Sequence, residues 1–174
     1  MRPIATLGWI AVMTAALAAQ GAVGFDAPKE WTAQPSTSSM RVAQYSLARA
    51  AGDSEDAELS VYYFGGSGGS VDANLDRWLG QMEQPDGKPS KAVAKTSTMT
   101  TNGLKVTVLD VSGRYVAEMT PGSPTRHNKP NFRMKAAVIE TPKGPYFVKL
   151  TGPAKTVARW DMAFAGFLKS ARFK

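Results

Sequence analysis

The chain has 174 residues, with 21 lysines and arginines against 14 acidic residues and one histidine, which gives a formal net charge of +7. This length suits one domain with a single hydrophobic core. The absence of cysteine excludes disulfides, thiolate metal sites, cysteine nucleophiles and the lipidation site of a bacterial lipoprotein. The positive charge favours anionic partners.

The first predicted element is a secretory signal peptide over residues 1–18. Arg2 precedes a short apolar run, and Ala16 and Ala18 have the A-x-A spacing of a cleavage site. The run is shorter than the roughly 20 apolar residues that a membrane-spanning helix needs. We therefore expect an exported protein, periplasmic or secreted and not a lipoprotein. Loss of Arg2 would leave it with a net charge of +6 and no transmembrane span.

A lead-in and a hairpin are predicted next. Residues 19–39 are rich in Pro, Ser and Thr and indicate an extended lead-in. A single domain is then expected over residues 40–174. Its first strands are residues 40–47 and 57–64, both rich in β-forming residues. The polar connection between them contains Gly52, so the pair is predicted to be an antiparallel hairpin.

From Ser70 the spacing of apolar residues becomes helical, and Ser70 itself is the predicted N-cap. The helix is expected to end before the turn signal Pro85-Asp86-Gly87. Its predicted apolar stripe consists of Val71, Leu75, Trp78, Leu79 and Met82.

Three more strong strand candidates and a closing helix follow. Asn102-Gly103 predicts a hairpin turn between a weak strand and a strong one at residues 104–111. Residues 133–141 and 145–152 are separated by a short turn, which again implies antiparallel neighbours. The closing helix is expected to begin at Gly152-Pro153. Its buried stripe is predicted to be Val157, Trp160, Phe164, Phe167 and Leu168.

The order of these strands and helices along the chain predicts an α+β fold, with a mid-chain helix and a C-terminal helix packed on an antiparallel sheet.

Two stretches carry a family resemblance. The lead-in FDAPKEW at residues 25–31 and the closing FAGFLKSARF at residues 164–173, with hairpins and a helix between them, resemble the PsbP-like α/β/α sandwich. The string YYFGGSGGSVDANLDRW at residues 62–78 also resembles a family of uncharacterised exported bacterial proteins. The resemblance implies a non-enzymatic binding or assembly module, an analogy that rests on fold and not on a site.

One loop fits the G-x-S-x-G nucleophile elbow. Its members are Gly65, Gly66, Ser67, Gly68 and Gly69. The chain order Ser67, Asp110, His127 matches that of α/β-hydrolases, so a small exported serine hydrolase using these three residues is the alternative function. That fold needs a mainly parallel sheet with crossover helices, whereas the connections here are short. We therefore interpret the loop as a structural glycine turn from strand into helix.

Other site types find little support. The glycine loop lacks a Walker lysine, and the stretch at residues 143–150 matches an RNA-binding consensus only in part. The acidic cluster lacks the glycine and terminal glutamate of an EF-hand. Its members are Asp53, Glu55, Asp56 and Glu58. We expect no metal, no cofactor and no nucleic-acid partner.

The loop at residues 118–134 is long, Pro-rich and basic, and loops of this kind are often functional. Arg126, His127, Lys129 and Arg133 are its candidate partner-binding residues, and His127 could make binding depend on pH. The preferred function is an exported, non-catalytic binding or assembly module of the bacterial envelope. Its expected partner is an unidentified protein, an envelope polymer or a small ligand of anionic character.

Overall fold

The computed structural model describes residues 22–36 and 38–174. The predicted signal peptide and the first part of the lead-in lie outside these ranges. No helix in the two described ranges combines the length and apolar character needed to cross a bilayer.

Ten strands and three α-helices make up the described chain. The strands are β1 (Val23–Gly24), β2 (Thr32–Ala33), β3 (Arg41–Leu47), β4 (Ala57–Tyr63), β5 (Met82–Glu83), β6 (Lys95–Thr101), β7 (Leu104–Tyr115), β8 (Lys129–Glu140), β9 (Tyr146–Pro153) and β10 (Arg172–Phe173). The helices are α1 (Val71–Leu79), α2 (Ala154–Arg159) and α3 (Asp161–Lys169), with one 3₁₀ turn at Ser90–Ala92.

Eight of the strands form one sheet in the order β2-β3-β4-β9-β8-β7-β5, and β6 lies beside β7. Every pairing in it is antiparallel. β1 and β10 form a separate two-stranded pair. The predicted hairpins β3–β4, β6–β7 and β8–β9 are therefore confirmed. Both residues of the β6–β7 turn have positive φ, 46° at Asn102 and 78° at Gly103, as a tight two-residue hairpin turn requires.

The helices cover both faces of the sheet and confirm the α+β class. α1 begins where predicted, and the Ser70 hydroxyl accepts a 3.2 Å hydrogen bond from the backbone N–H of Ala73. It ends earlier than predicted, at Leu79, because Met82 of the predicted stripe pairs with Tyr115 as part of β5.

The predicted single closing helix is wrong in one respect, because it is divided into α2 and α3 at Trp160. The Trp160 backbone leaves the helical region, with φ −99° and ψ 8°, and its indole N–H donates to the Ala48 carbonyl at 3.0 Å.

Each face of the sheet has its own apolar cluster. The cluster under α2 and α3 includes Leu59, Val61, Val148, Phe164 and Phe167. The cluster under α1 includes Trp78, Leu109, Val111, Met134 and Phe147. This layered packing buries every residue of the predicted stripe of the closing helices, with Trp160 the most exposed at 9%. α1 has only nine residues, and part of its face of the sheet lines an open cleft instead.

The lead-in is packed into the fold. Phe25 stacks on Phe167 of α3 at a centroid distance of 4.5 Å, and Trp31 is only 5% exposed. β1 pairs with β10 at the far end of the chain. The folded core therefore includes residues on the N-terminal side of position 40.

Candidate binding cleft

A cleft of about 920 Å³ opens on the α1 face of the sheet. Strands β4 and β9 contribute to its lining, as do the end of α1 and the loop that follows β7. A second groove of about 540 Å³ lies between α1 and the turn at Gly87, but its charged side chains are all exposed. The larger cleft is therefore the candidate site.

The alternation of side chains along the strands determines which of them line the cleft. Successive residues of a strand point to opposite faces of the sheet. In β9, Val148 and Leu150 pack under α2 and α3, so Lys149 and Thr151 face the cleft. In β4, Ser60 faces the cleft in the same way and lies directly opposite Lys149 in the register.

Lys149 is the central cation of the cleft. Its ammonium donates to the Gln81 Oε1 at 2.6 Å and to the Tyr115 hydroxyl oxygen at 3.1 Å. Both partners are neutral, and no carboxylate in the described ranges forms an ion pair with it. Burial lowers the pKa of Lys149 to about 8; nearby Arg77 and Arg41 add to this shift, whereas Glu58 opposes it.

Tyr115 supports Lys149 from the wall of the cleft. Its ring lies between His127 and Phe132, at centroid distances of 5.2 and 6.0 Å. Burial raises the pKa of Tyr115 to about 12, and nearby Tyr62 and Glu58 add to the effect. The hydroxyl is therefore protonated at neutral pH and can donate a hydrogen bond.

Other polar groups of the cleft have unused hydrogen-bonding capacity. Arg41 donates to the Gln44 Oε1 at 2.7 Å and to the Tyr62 hydroxyl at 2.9 Å, and it lies 3.7 Å from Glu58. Its Nε is buried without a partner in the described structure. The Thr151 hydroxyl is unpartnered in the same way. Arg77 is exposed at the end of α1 and donates to the Asn74 Oδ1. A ligand could satisfy these groups, because buried polar atoms in folded proteins are normally hydrogen-bonded.

The rim of the cleft carries paired charges. Lys129 contacts Glu55 at 2.7 Å, and Arg126 lies 3.8 Å from Glu118. Such exposed pairs largely neutralise each other. Lys149 differs from these rim cations because it forms no ion pair in the described ranges.

Three of the four loop residues predicted to bind a partner, Arg126, His127 and Lys129, line this cleft. Arg133 does not line it. β8 alternates, so Phe132 and Met134 face the α1 side while Arg133 faces α3. There Arg133 binds Asp110 through two hydrogen bonds of 2.6 and 2.8 Å.

The structure does not bring Ser67, Asp110 and His127 together. Ser67 is exposed in the turn before α1, and Asp110 is held by Arg133 on the α3 side of the sheet. His127 stacks on Tyr115 on the α1 side, so the sheet separates it from Asp110. In addition, β4 runs antiparallel to both of its neighbours, unlike the strand that precedes a nucleophile elbow.

The glycines of residues 65–69 are needed for two reasons: some have a positive φ, and others lie too close to neighbouring groups for a side chain. Gly66 and Gly69 have φ of 88° and 80°, in the left-handed region. A Cβ on Gly68 would overlap the ring of Phe147, and one on Gly144 would overlap Gly66. The turn is therefore pressed against β9 and the turn that precedes it.

Sequence reasoning did not identify Lys149, Gln81 or Tyr115. One signal was available, since Lys149 is a lone cation between apolar neighbours in a predicted strand. Strand alternation alone shows that Lys149 faces away from Val148 and Leu150. It does not show that this face is concave.

No protein-family model and no curated protein sequence matches the chain. The solved structures that are similar to it include LpqN and PA94. LpqN of Mycobacterium tuberculosis, described as involved in cell envelope biogenesis, shares 11% identity at a TM-score of 0.52, over 89% of this chain and 84% of that one. PA94 of Pseudomonas aeruginosa, a protein of unknown function and putative regulator, shares 11% identity at a TM-score of 0.48, over 81% and 95%. At this identity the likeness to LpqN concerns the fold alone, and the PsbP-like resemblance stays a prediction.

Proposed function

We propose that the protein is an exported, non-catalytic binding module of the bacterial envelope whose cleft holds the anionic group of a ligand. The observation that carries this proposal is Lys149, a largely buried cation whose hydrogen-bond partners are neutral. An ammonium that is largely desolvated and forms no ion pair has a high free energy, which nearby Glu58 offsets only in part. A phosphate or carboxylate entering the cleft would supply a counter-charge in direct contact with it.

The size of the cleft limits the ligand. A volume of about 920 Å³ lies within the usual range for small-molecule pockets, which is about 300–1,000 Å³. The occupant is therefore a small molecule or the terminal unit of a polymer, with its anionic group next to Lys149. Arg41 and Arg77 can add hydrogen bonds to the same anionic group, because arginine side chains bind carboxylate and phosphate well.

Two further observations support a place in the envelope. The sequence predicts a signal peptide, and the net charge of the chain is positive. LpqN, whose fold is similar, is described as involved in cell envelope biogenesis. Envelope polymers and lipid headgroups offer both phosphate and carboxylate groups, and these two chemistries are the two arms of the test.

Titration calorimetry at pH 7 tests the proposal with three probes. Glycerol phosphate carries phosphate, galacturonate carries carboxylate, and galactose is the neutral counterpart of galacturonate. We expect at least one anionic probe to bind and galactose not to bind. Lys149→Met should weaken binding by about tenfold or more, since a charge-assisted hydrogen bond is worth about 1.5–3 kcal/mol.

Lys169→Met is the matched control. Lys169 is exposed on α3, on the other face of the sheet, so its loss removes the same charge far from the cleft. Binding should be unchanged in this variant. Equal weakening by both substitutions would contradict the proposal, as would binding of galactose that is as tight as that of either anionic probe.

A further inference from the structure

We propose that the cleft captures anionic carbonyl compounds covalently, with the Lys149 amine condensing with an aldehyde or ketone that also carries a carboxylate. This inference rests on the proposed function, because both use the same cleft. It adds a chemical class of ligand, of which 2-oxo acids are the simplest members.

The environment of Lys149 differs from that of Lys135, a partly buried lysine on the other face of the sheet. Lys135, on the α3 side, is held by Asp161 at 2.8 Å and lies 3.8 Å from Asp110. In the described ranges the hydrogen-bond partners of the Lys149 nitrogen are the neutral Gln81 and Tyr115, and Lys149 lines an open cleft. A reacting carbonyl carbon can reach this nitrogen without breaking an ion pair.

Cationic neighbours complete the arrangement. Burial is the main factor that favours the neutral amine, which is the nucleophile. Glu58, which also lines the cleft, favours the charged form, and Arg77 and Arg41 act against Glu58. The same two guanidinium groups can bind the carboxylate of the incoming molecule. The arginines thus select an anionic substrate, while burial of Lys149 supplies the neutral amine.

The reaction balances without an oxidant or reductant. The lone pair of the neutral Lys149 amine attacks the carbonyl carbon, and the carbonyl oxygen takes a proton to become a hydroxyl. That hydroxyl then leaves as water while the nitrogen loses its protons and the C=N bond forms. The Tyr115 hydroxyl, 3.1 Å from the nitrogen, is placed to donate protons to the departing oxygen and to recover them from the nitrogen.

The test uses the intact protein with glyoxylate and sodium cyanoborohydride at pH 7.5. Cyanoborohydride reduces an imine to a stable secondary amine, and peptide mapping by mass spectrometry then locates the modified lysines. We expect Lys149 to be modified at least about tenfold faster than exposed Lys169, because a larger fraction of it is neutral. Lys135 is the partly buried internal control and should be modified no faster than Lys169.

Two variations test the selectivity and the role of Tyr115. With acetaldehyde, which lacks the carboxylate, the modification of Lys149 should be little faster than that of Lys169. Tyr115→Phe keeps the ring and its stacking but removes the hydroxyl, so it should slow the modification of Lys149 several-fold and leave that of Lys169 unchanged. If Lys149 is modified at the wild-type rate in this variant, Tyr115 does not transfer protons in the reaction.

The outcomes separate this inference from the proposed function. Modification of Lys149 at or below the rate of Lys169 would overturn covalent capture. If glycerol phosphate or galacturonate still binds in that case, the binding cleft stands and only the capture fails. Absence of both modification and binding would overturn both proposals.

Discussion

At the residue scale, the desolvation of Lys149 gives the cleft a measurable cost in stability. The lysine is charged below about pH 8 in the folded chain, yet it lacks a carboxylate partner there. Its charged form is therefore less stable in the folded protein than in the unfolded one. A fold selected for stability alone would place an apolar residue at this position, as it does at Val148 and Leu150.

Replacing the cation should reveal that cost. At pH 7 we expect Lys149→Met to raise the free energy of unfolding by up to about 3 kcal/mol, which corresponds to the lowered pKa. Between about pH 8 and 10.5 the folded wild type loses this proton while the unfolded chain keeps it, so wild-type stability rises. The advantage of the variant should therefore disappear above about pH 10.5. Urea unfolding across this range measures it, and a pH-independent difference would contradict the account.

A second residue-scale prediction concerns the glycine turn. Gly68→Ala should destabilise the fold by about 1–3 kcal/mol, because the added Cβ overlaps the ring of Phe147. Gly166→Ala in α3 is the control, since a Cβ there has no neighbour within contact distance and alanine favours a helix. Thermal unfolding of both variants measures the contrast. Equal stability of the two would show that the turn is not packed against β9.

At the element scale, charged side chains fasten α3 to the sheet. Arg133 of β8 binds Asp110 of β7 and also Asp161 of α3, the latter at 3.0 Å. Lys135 reaches the same Asp161. This cluster lies on the face opposite the cleft, so it is available for stability and not for a ligand in the cleft.

Arg133→Met should therefore separate stability from binding. It leaves Asp110 and Asp161 partly buried without one of their cations, and we expect a loss of about 1–3 kcal/mol in the free energy of unfolding. Affinity for the anionic probe that binds the cleft should stay within about twofold of wild type. If the variant remains folded but its affinity falls tenfold, Arg133 takes part in ligand binding after all.

At the scale of the whole molecule, local patterns in the sequence predicted the elements well. The β-forming residues of β3 and β4 and the Asn102-Gly103 turn act between near neighbours in the chain. The spacing of apolar residues after Ser70 gave α1 for the same reason. The break at Trp160 depends on a tertiary hydrogen bond to Ala48 and has no local signal.

The cleft could be predicted only in part. Its rim residues Arg126, His127 and Lys129 are concentrated in one basic loop, which the composition revealed. Its centre requires Lys149 to meet Gln81 and Tyr115, which are 68 and 34 positions away in the chain. Those contacts depend on strand order and on the short length of α1, and neither follows from a local pattern.

The lead-in provides a whole-molecule prediction. A chain beginning at residue 40 lacks Trp31, the Phe25–Phe167 stack and the β1–β10 pair. We expect its melting temperature to fall by more than about 10 °C relative to a chain beginning at residue 22, since loss of buried aromatic side chains costs several kcal/mol. Equal melting temperatures would place the edge of the folded unit at residue 40.

The most direct measurement of the central claim is an NMR titration of the Lys149 side chain, with and without the anionic probe that binds. We expect Lys149 to titrate with a midpoint near pH 8 in the free protein, because burial lowers its pKa. In the complex we expect a higher midpoint, because an anion beside the ammonium stabilises the charged form. A midpoint at the ordinary lysine value of about 10.4 that the probe does not move would contradict that claim.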